Sequence, residues 1–232
     1  MKRLVKKLIG QPTARDYTAR LIESGDVRRA LDLGCGENSV LTEFRPKVRT
    51  AGIDAFDGAI ETARKRDLHD DYQVANILES DAATILERFG GEPFDLVTAY
   101  GVIEHVPKRL GFDLLEKCEA LTTKYVLLEM PNGFVPQGPE FGNEYQRHLS
   151  GWFDHDFIGR GYDVYGTTGT KVFHGYAGEL KIKFPGALAC DAVLAWLLGS
   201  DRNCRHAFNL VAVKDVRGVP ARLGPTCPEM NS

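Results

Sequence analysis

The segment Ala30-Leu31-Asp32-Leu33-Gly34-Cys35-Gly36-Glu37-Asn38-Ser39 holds the residues whose spacing speaks most directly of chemistry. An apolar run ends in two glycines one residue apart, which let the backbone turn sharply and approach a ligand more closely than a Cβ allows. Eighteen residues after Gly36, the run Ala51-Gly52-Ile53 ends in Asp54. An acid at the tip of a second strand can accept both hydroxyls of a ribose, so the two signals together point to a bound nucleoside. A dinucleotide site would place a third glycine where Ser39 stands and would set a pyrophosphate beside Asp32 and Glu37, which repel it. A sulfonium amino acid carries positive charge that these carboxylates favour. The ligand implied is S-adenosylmethionine rather than a nicotinamide dinucleotide.

Two histidines lie where a proton could be moved. His105 follows the apolar run Phe94 to Ala99, and His148 lies in Asn143-Glu144-Tyr145-Gln146-Arg147-His148. In-line displacement at a sulfonium demands alignment and exclusion of water but no protein nucleophile. A hydroxyl acceptor gains from a general base, and an imidazole suits neutral pH. Both histidines also fit structural roles, His105 as a cap for the next helix and His148 as a loop tie. Phe134, Tyr145 and Trp152, with Phe153 beside them, are candidate walls of an acceptor pocket. Arg147 and Lys171 are candidate partners for an anionic acceptor.

The elements that must position these residues alternate. Strands are expected at 30–33, 49–54, 72–75, 94–99, 125–129, 162–165 and 207–213, and helices at 59–66, 81–89, 109–122 and 187–198, with one more starting near Asn38. Seven strands interleaved with helices indicate one α/β layer structure. The helix at 187–198 is unusually apolar and is expected to pack on the sheet or to form a dimer face. Long stretches rich in glycine, aromatic residues and histidine follow the fifth strand. Residues 1–216 are expected to form a single domain, with 1–25 as a helical lid and 131–186 as acceptor-binding loops. Residues 217–232 are expected to be a poorly ordered tail.

Composition narrows the partners. With 29 Lys+Arg against 32 Asp+Glu the formal charge is −3, which disfavours a broad nucleic-acid surface and leaves a small molecule or saccharide as the expected partner. No stretch is long and apolar enough to span a membrane. The five cysteines, odd in number and without a C-x-x-C, suggest neither a disulfide framework nor a zinc cluster, and a cytoplasmic setting is expected. The chain is expected to be a monomer or homodimer.

From Ala30 to Val213 the sequence resembles the class I S-adenosylmethionine-dependent methyltransferases, in particular bacterial small-molecule and saccharide types. The resemblance rests on L-D-L-G-C-G, on Asp54 and on F-D-L-V-T-A-Y-G-V-I-E-H-V-P from Phe94. It implies a Rossmann-like, seven-stranded, mostly parallel sheet flanked by helices, with an extended loop or lid region after strand five. It also implies that S-adenosylmethionine is the cofactor and S-adenosylhomocysteine its product. The cofactor residues carried over are Asp32, Gly34, Cys35 and Gly36 in the turn and Asp54 with Ala55 at the ribose. Asn76 with Ile77 follow beside the adenine, where the family usually has an Asp, and Ala99 with Tyr100 at the methionine end. Some members bind a divalent ion through E-x-x-E-H and a later His; here Gly101 replaces the first acid, so no metal is expected. The activity implied is O-methylation of a polar small molecule or saccharide in a bacterial biosynthetic pathway. N- or C-methylation, methylation of RNA or protein, and a silent cofactor-binding partner subunit are the alternatives.

Overall fold

Apolar runs that end at a glycine or an acid become the strands of one sheet, and the amphipathic stretches between them become its cover. The computed structural model describes residues 12–24, 26–140, 142–175, 179–181, 183–200, 203–221, 223–224 and 226–227. The strands are β1 (Arg29–Leu33), β2 (Arg49–Asp54), β3 (Asp71–Val74), β4 (Phe94–Tyr100), β5 (Thr122–Pro131), β6 (Asp163–Thr170) and β7 (Ala207–Asp215). Their order is β3-β2-β1-β4-β5-β7-β6. Every pairing is parallel except those of β7, which runs antiparallel to both β5 and β6. The chain reverses its direction across the sheet between β1 and β4, so a crevice opens at the carboxyl ends of these strands.

Central strands buried on both faces are apolar almost throughout: Leu31, Leu33, Leu96 and Val97 are 0% exposed. The helices are α1 (Ala14–Glu23), α2 (Asp57–Lys65), α3 (Ala82–Arg88), α4 (Lys108–Ala120), α5 (Asp154–Ile158) and α6 (Ala187–Leu197), with 3-10 turns at Val40–Phe44, Ile103–His105 and Glu144–Gln146. One core lies between the sheet and α3 and α4; the other lies under α1 and the first 3-10 turn. The α1 helix is docked by Tyr17 stacking on Tyr165 at 4.5 Å between ring centroids and by a 2.5 Å bond between the Thr18 and Tyr100 hydroxyls.

Several expectations are corrected. The helix foreseen near Asn38 is a short 3-10 turn, capped where the Ser39 hydroxyl accepts from the Leu41 N–H at 3.1 Å. The α6 helix buries only Ala187, Asp191 and Ala195, one narrow stripe at four-residue spacing, and leaves Leu188, Trp196 and Leu197 exposed. Its apolar composition therefore overstated its packing on the sheet. Cys204 and Cys227 form a disulfide across 23 residues, since an odd cysteine count does not preclude a single bridge. Past Val216, where a loose tail was expected, Arg217, Ala221, Leu223 and Cys227 all make defined contacts. The basic stretch Lys2–Lys7 lies outside the described residues, as does most of the proposed lid that precedes α1.

Candidate functional site

The turn after β1 is built by geometry that only glycine supplies. Gly34 and Gly36 adopt φ of +66° and +55°. A Cβ on Gly34 would stand 2.6 Å from Val102 Cγ2, whereas one on Gly36 would meet nothing closer than 4.0 Å. The Gly36 N–H donates to Asp54 Oδ2 at 2.9 Å and the Phe56 N–H to Asp54 Oδ1 at 2.8 Å, which locks the carboxylate at the end of β2. Burial raises the Asp54 pKa against these hydrogen bonds. A cleft begins here, lined by Gly34, Asp54, Ala55, Asn76 and Ile77 on one side and by Gly101, His105 and Tyr145 on the other. A cradle that side chains would fill, with a fixed carboxylate beside it and apolar Ile77 and Leu78 beyond, suits a nucleoside with a cationic tail.

A second cavity adjoins the first. Gly101, His105 and Gln146 line both, and Glu104, Glu129 and His148 line the second. The 3-10 turn at Ile103–His105 aims Glu104 inward and His105 at the junction, and the chain after β5 clamps it: Leu149 and Ser150 N–H groups donate to the Glu104 carbonyl at 2.8 and 3.0 Å. His105 Nδ1 lies 3.2 Å from the Arg147 carbonyl and His148 Nδ1 lies 2.6 Å from the Val135 carbonyl. A ring nitrogen facing a carbonyl carries the proton, so both imidazoles keep Nε2 as an acceptor. Burial holds both rings below the usual histidine pKa, and they remain neutral near pH 7. Their centroids are 4.7 Å apart.

Glu104 completes the group. It is 4% exposed, and burial pushes its carboxyl up to about 8, with the Glu129 charge adding to the effect. Its Oε2 has no hydrogen-bond partner among the described residues. One ligand atom each from Glu104, His105 and His148 lies within 4.8 Å of the others. Two imidazole nitrogens and a partnerless carboxylate oxygen, with no donor between them, form a set that fits a divalent cation, although Gly101 contributes nothing to it.

Some residues singled out from the sequence stand elsewhere. Asp32 is 2% exposed and accepts from Ser39 Oγ at 2.5 Å and Thr98 Oγ1 at 2.9 Å behind the glycine turn; burial pushes it up to about 6. Cys35 is buried, its Sγ facing Gly52 on β2. Ala99 belongs to the core and Tyr100 is bonded to α1, so neither side chain lines the cleft. Asn76 does line it, but its amide group already donates to Glu79 at 2.8 Å and its carbonyl accepts from Leu78 at 3.0 Å. Tyr145 borders the cofactor cleft rather than the acceptor side. Trp152 is corrected outright: it is 0% exposed and donates its indole N–H to the Ile103 carbonyl at 3.1 Å and to Ser150 Oγ at 2.8 Å. It holds the Glu104–His105 turn from beneath instead of walling a pocket. Phe134 is exposed and lines a third cavity, with Lys171. Glu129 was missed, and its signal was an acid set within the apolar run Val126-Leu127-Leu128-Glu129-Met130.

Residues 31–124 match a family model described as a methyltransferase domain. A ubiquinone biosynthesis O-methyltransferase of Pasteurella multocida (strain Pm70) is 32% identical over 150 residues, which takes in 61% of this chain and 56% of that protein. The chain thus spans just over half the length of this curated relative. Among solved structures, a SAM-dependent methyltransferase from Archaeoglobus fulgidus is similar with a TM-score of 0.51 at 17% identity, over 92% of this chain and 99% of that one. Magnesium protoporphyrin IX methyltransferase from Synechocystis PCC 6803, with bound SAH, gives 0.50 at 14% identity over 92% and 87%. At such identities the likeness is one of fold.

Proposed function

We propose that the chain is a class I S-adenosylmethionine-dependent methyltransferase, as its match to a methyltransferase domain supports, and that it moves the methyl group of S-adenosylmethionine to a hydroxyl of a small polar acceptor. The observation that carries this reading is the meeting of two cavities at Gly101, His105 and Gln146, one fitted to a nucleoside and the other bearing neutral imidazoles. When bound, S-adenosylmethionine supplies an electrophilic methyl group on a sulfonium. Asp54 takes the ribose hydroxyls, and the glycine turn lets the backbone approach. An acceptor seated in the second cavity displaces water from beside the methyl group. One imidazole then accepts the acceptor's proton at Nε2 as the oxygen attacks. His105 is the better placed base, because it lines both cavities whereas His148 lines only the second. The name of the Pasteurella relative, an O-methyltransferase, supports oxygen as the methylated atom.

A second reading is favoured by the donor set itself. Glu104, His105 and His148 would hold a divalent ion, which would supply Lewis-acid activation of the acceptor hydroxyl. The two readings assign the same Nε2 atoms to different partners.

Calorimetry with S-adenosylhomocysteine tests the foundation of both. Replacing Asp54 with Ala removes a charged acceptor, and binding should weaken roughly tenfold to a hundredfold. Equal binding by Asp54→Ala would refute the placement of the ribose.

A further inference from the structure

The third cavity lies beyond the acceptor side of the site and differs from it in charge. Its volume is about 370 Å³, and Phe134, Lys171, His174, Lys181 and Phe208 are among its walls. Val135 and Phe208 line both this cavity and the one that holds Glu104, Glu129 and His148, so the two are neighbours across a shared wall. Among the described residues no carboxylate lines the third cavity, whereas two line the second.

Lys171 is the residue that decides what such a cavity takes. It stands just past the end of β6, its backbone N–H fixed to the His206 carbonyl at 3.1 Å, and its side chain is half-buried. Among the described residues no carboxylate comes within ion-pair distance of its ammonium. Asp154 acts on it electrostatically from outside the cavity, and its carboxylate already accepts from the His155 N–H at 2.9 Å. The Lys171 ammonium lies 5.9 Å from the Phe153 ring, and Lys181 donates to the Lys171 carbonyl at 3.0 Å. Arg147, the other basic residue considered for an anion, is paired with Glu144 at 3.1 Å. A half-buried ammonium without a counter-ion is costly, and an anion entering the cavity would relieve that cost.

Resting on the methyltransferase reading above, we propose that this cavity receives an anionic group of the acceptor, a carboxylate or a phosphate, with Lys171 as its charge partner. Lys171 attracts that group, and among the described residues no lysine or arginine lines the neighbouring cavity, so the acceptor enters in one orientation, with its hydroxyl toward His105 and His148. The substrate class is then an anionic hydroxy compound rather than a neutral sugar.

The test uses the full chain, with and without saturating S-adenosylhomocysteine, titrated by ligand-detected NMR. The probes are benzoate, phenyl phosphate, inorganic phosphate and neutral benzamide, applied to wild type, Lys171→Gln and Lys171→Arg. An aryl anion should bind at least tenfold more tightly than benzamide. Lys171→Gln should remove roughly a tenfold to a hundredfold of that affinity, and Lys171→Arg should keep most of it. Comparison of the carboxylate, the aryl phosphate and phosphate alone identifies which anion is preferred. Anions that bind no better than benzamide, or equally well to Lys171→Gln, overturn the proposal. Calorimetry of S-adenosylhomocysteine on the same three proteins reads the cofactor site separately, so a failure of the methyltransferase reading is distinguished from a failure of the anion site.

Discussion

At the scale of single residues, burial prepares the candidate site for proton transfer. Water withdrawn from His105 and His148 keeps both imidazoles neutral and basic, and the carbonyls of Arg147 and Val135 fix which nitrogen is available. If one of them is the general base, its change to Gln should lower turnover by about 10²- to 10⁴-fold, with S-adenosylhomocysteine binding retained. Part of that loss should return at alkaline pH as the acceptor ionises unaided. Exhaustive chelation separates the metal reading: activity lost and then restored by added zinc or magnesium assigns the Nε2 atoms to an ion, and activity retained assigns them to the proton. Glu104 makes a further prediction without substrate. Its folded pKa of about 8 lies above the ~4.3 of an unfolded glutamate, so between these values the folded state binds the extra proton. The stability it contributes is therefore present at low pH and lost as pH rises toward 8. Glu104→Gln cannot lose a proton, and its melting temperature should fall less than that of wild type between pH 6 and 8.5. The two histidines, with lowered pKa values, change stability in the opposite direction below about 6.5 in both proteins and cancel in the comparison. Parallel melting curves for the two proteins would mean that Glu104 is already ionised, for example by a bound cation.

At the scale of elements, the close fit of Trp152 under α4 ties the loop after β5 to the turn that carries Glu104 and His105. A Cβ on Gly111 would stand 2.3 Å from Trp152 Cζ2, deep inside the core, so the indole would have to move. Gly111→Ala should cost about 1 to 3 kcal/mol, lowering the melting temperature by roughly 2 to 4 °C per kcal/mol in a chain this long. It should also depress turnover, because Trp152 bonds the Ile103 carbonyl. Gly159, whose added Cβ would meet only the His155 carbonyl at 3.8 Å, is the control, and Gly159→Ala should leave both quantities unchanged. Six of the seven strands were legible in the sequence to within a few residues, the central ones because parallel strands covered on both faces must be apolar along their length, whereas the antiparallel edge strand β6 runs on to Thr170, five residues past its expected end. The glycine turn and Asp54 were legible for a related reason: a left-handed backbone and a charge at a strand tip leave few choices of residue. What could not be read is what depends on neighbours distant in sequence. Trp152 reads as pocket or core with equal ease until Gly111 is seen beneath it. The apolar face of α6 gives no sign in the sequence that only its smallest residues and Asp191 point inward. The role of Glu129 depends on pairing with β4, which sets its backbone carbonyl against the Gly101 N–H at 2.9 Å.

At the scale of the whole molecule, the sheet ends in an edge strand, β6, whose open side would otherwise present unpaired backbone groups. The chain after β7 returns along that edge. The Ala221 N–H donates to Asp163 at 2.9 Å and the Cys227 N–H to the Val164 carbonyl at 2.8 Å. Arg217 joins Asp26, Asp215 and the Tyr125 hydroxyl, and Arg20 on α1 donates to the Leu223 carbonyl. The bridge from Cys227 to Cys204 closes this return onto the turn before β7. The same turn accepts, at the Cys204 and Ala207 carbonyls, from the Asn132 amide beside the third cavity. A loop of 23 residues closed by a disulfide limits the unfolded chain by about 3 kcal/mol. Cys227→Ser should therefore melt roughly 6 to 12 °C below the oxidised wild type, at 2 to 4 °C per kcal/mol. A reductant should bring the wild type down to the variant's melting temperature and leave the variant itself unmoved. A wild type indifferent to reductant would show that the hydrogen bonds along β6 hold the tail without the bridge, in which case Ala221→Pro, which removes one of those N–H donors, should destabilise the fold more than loss of the disulfide does.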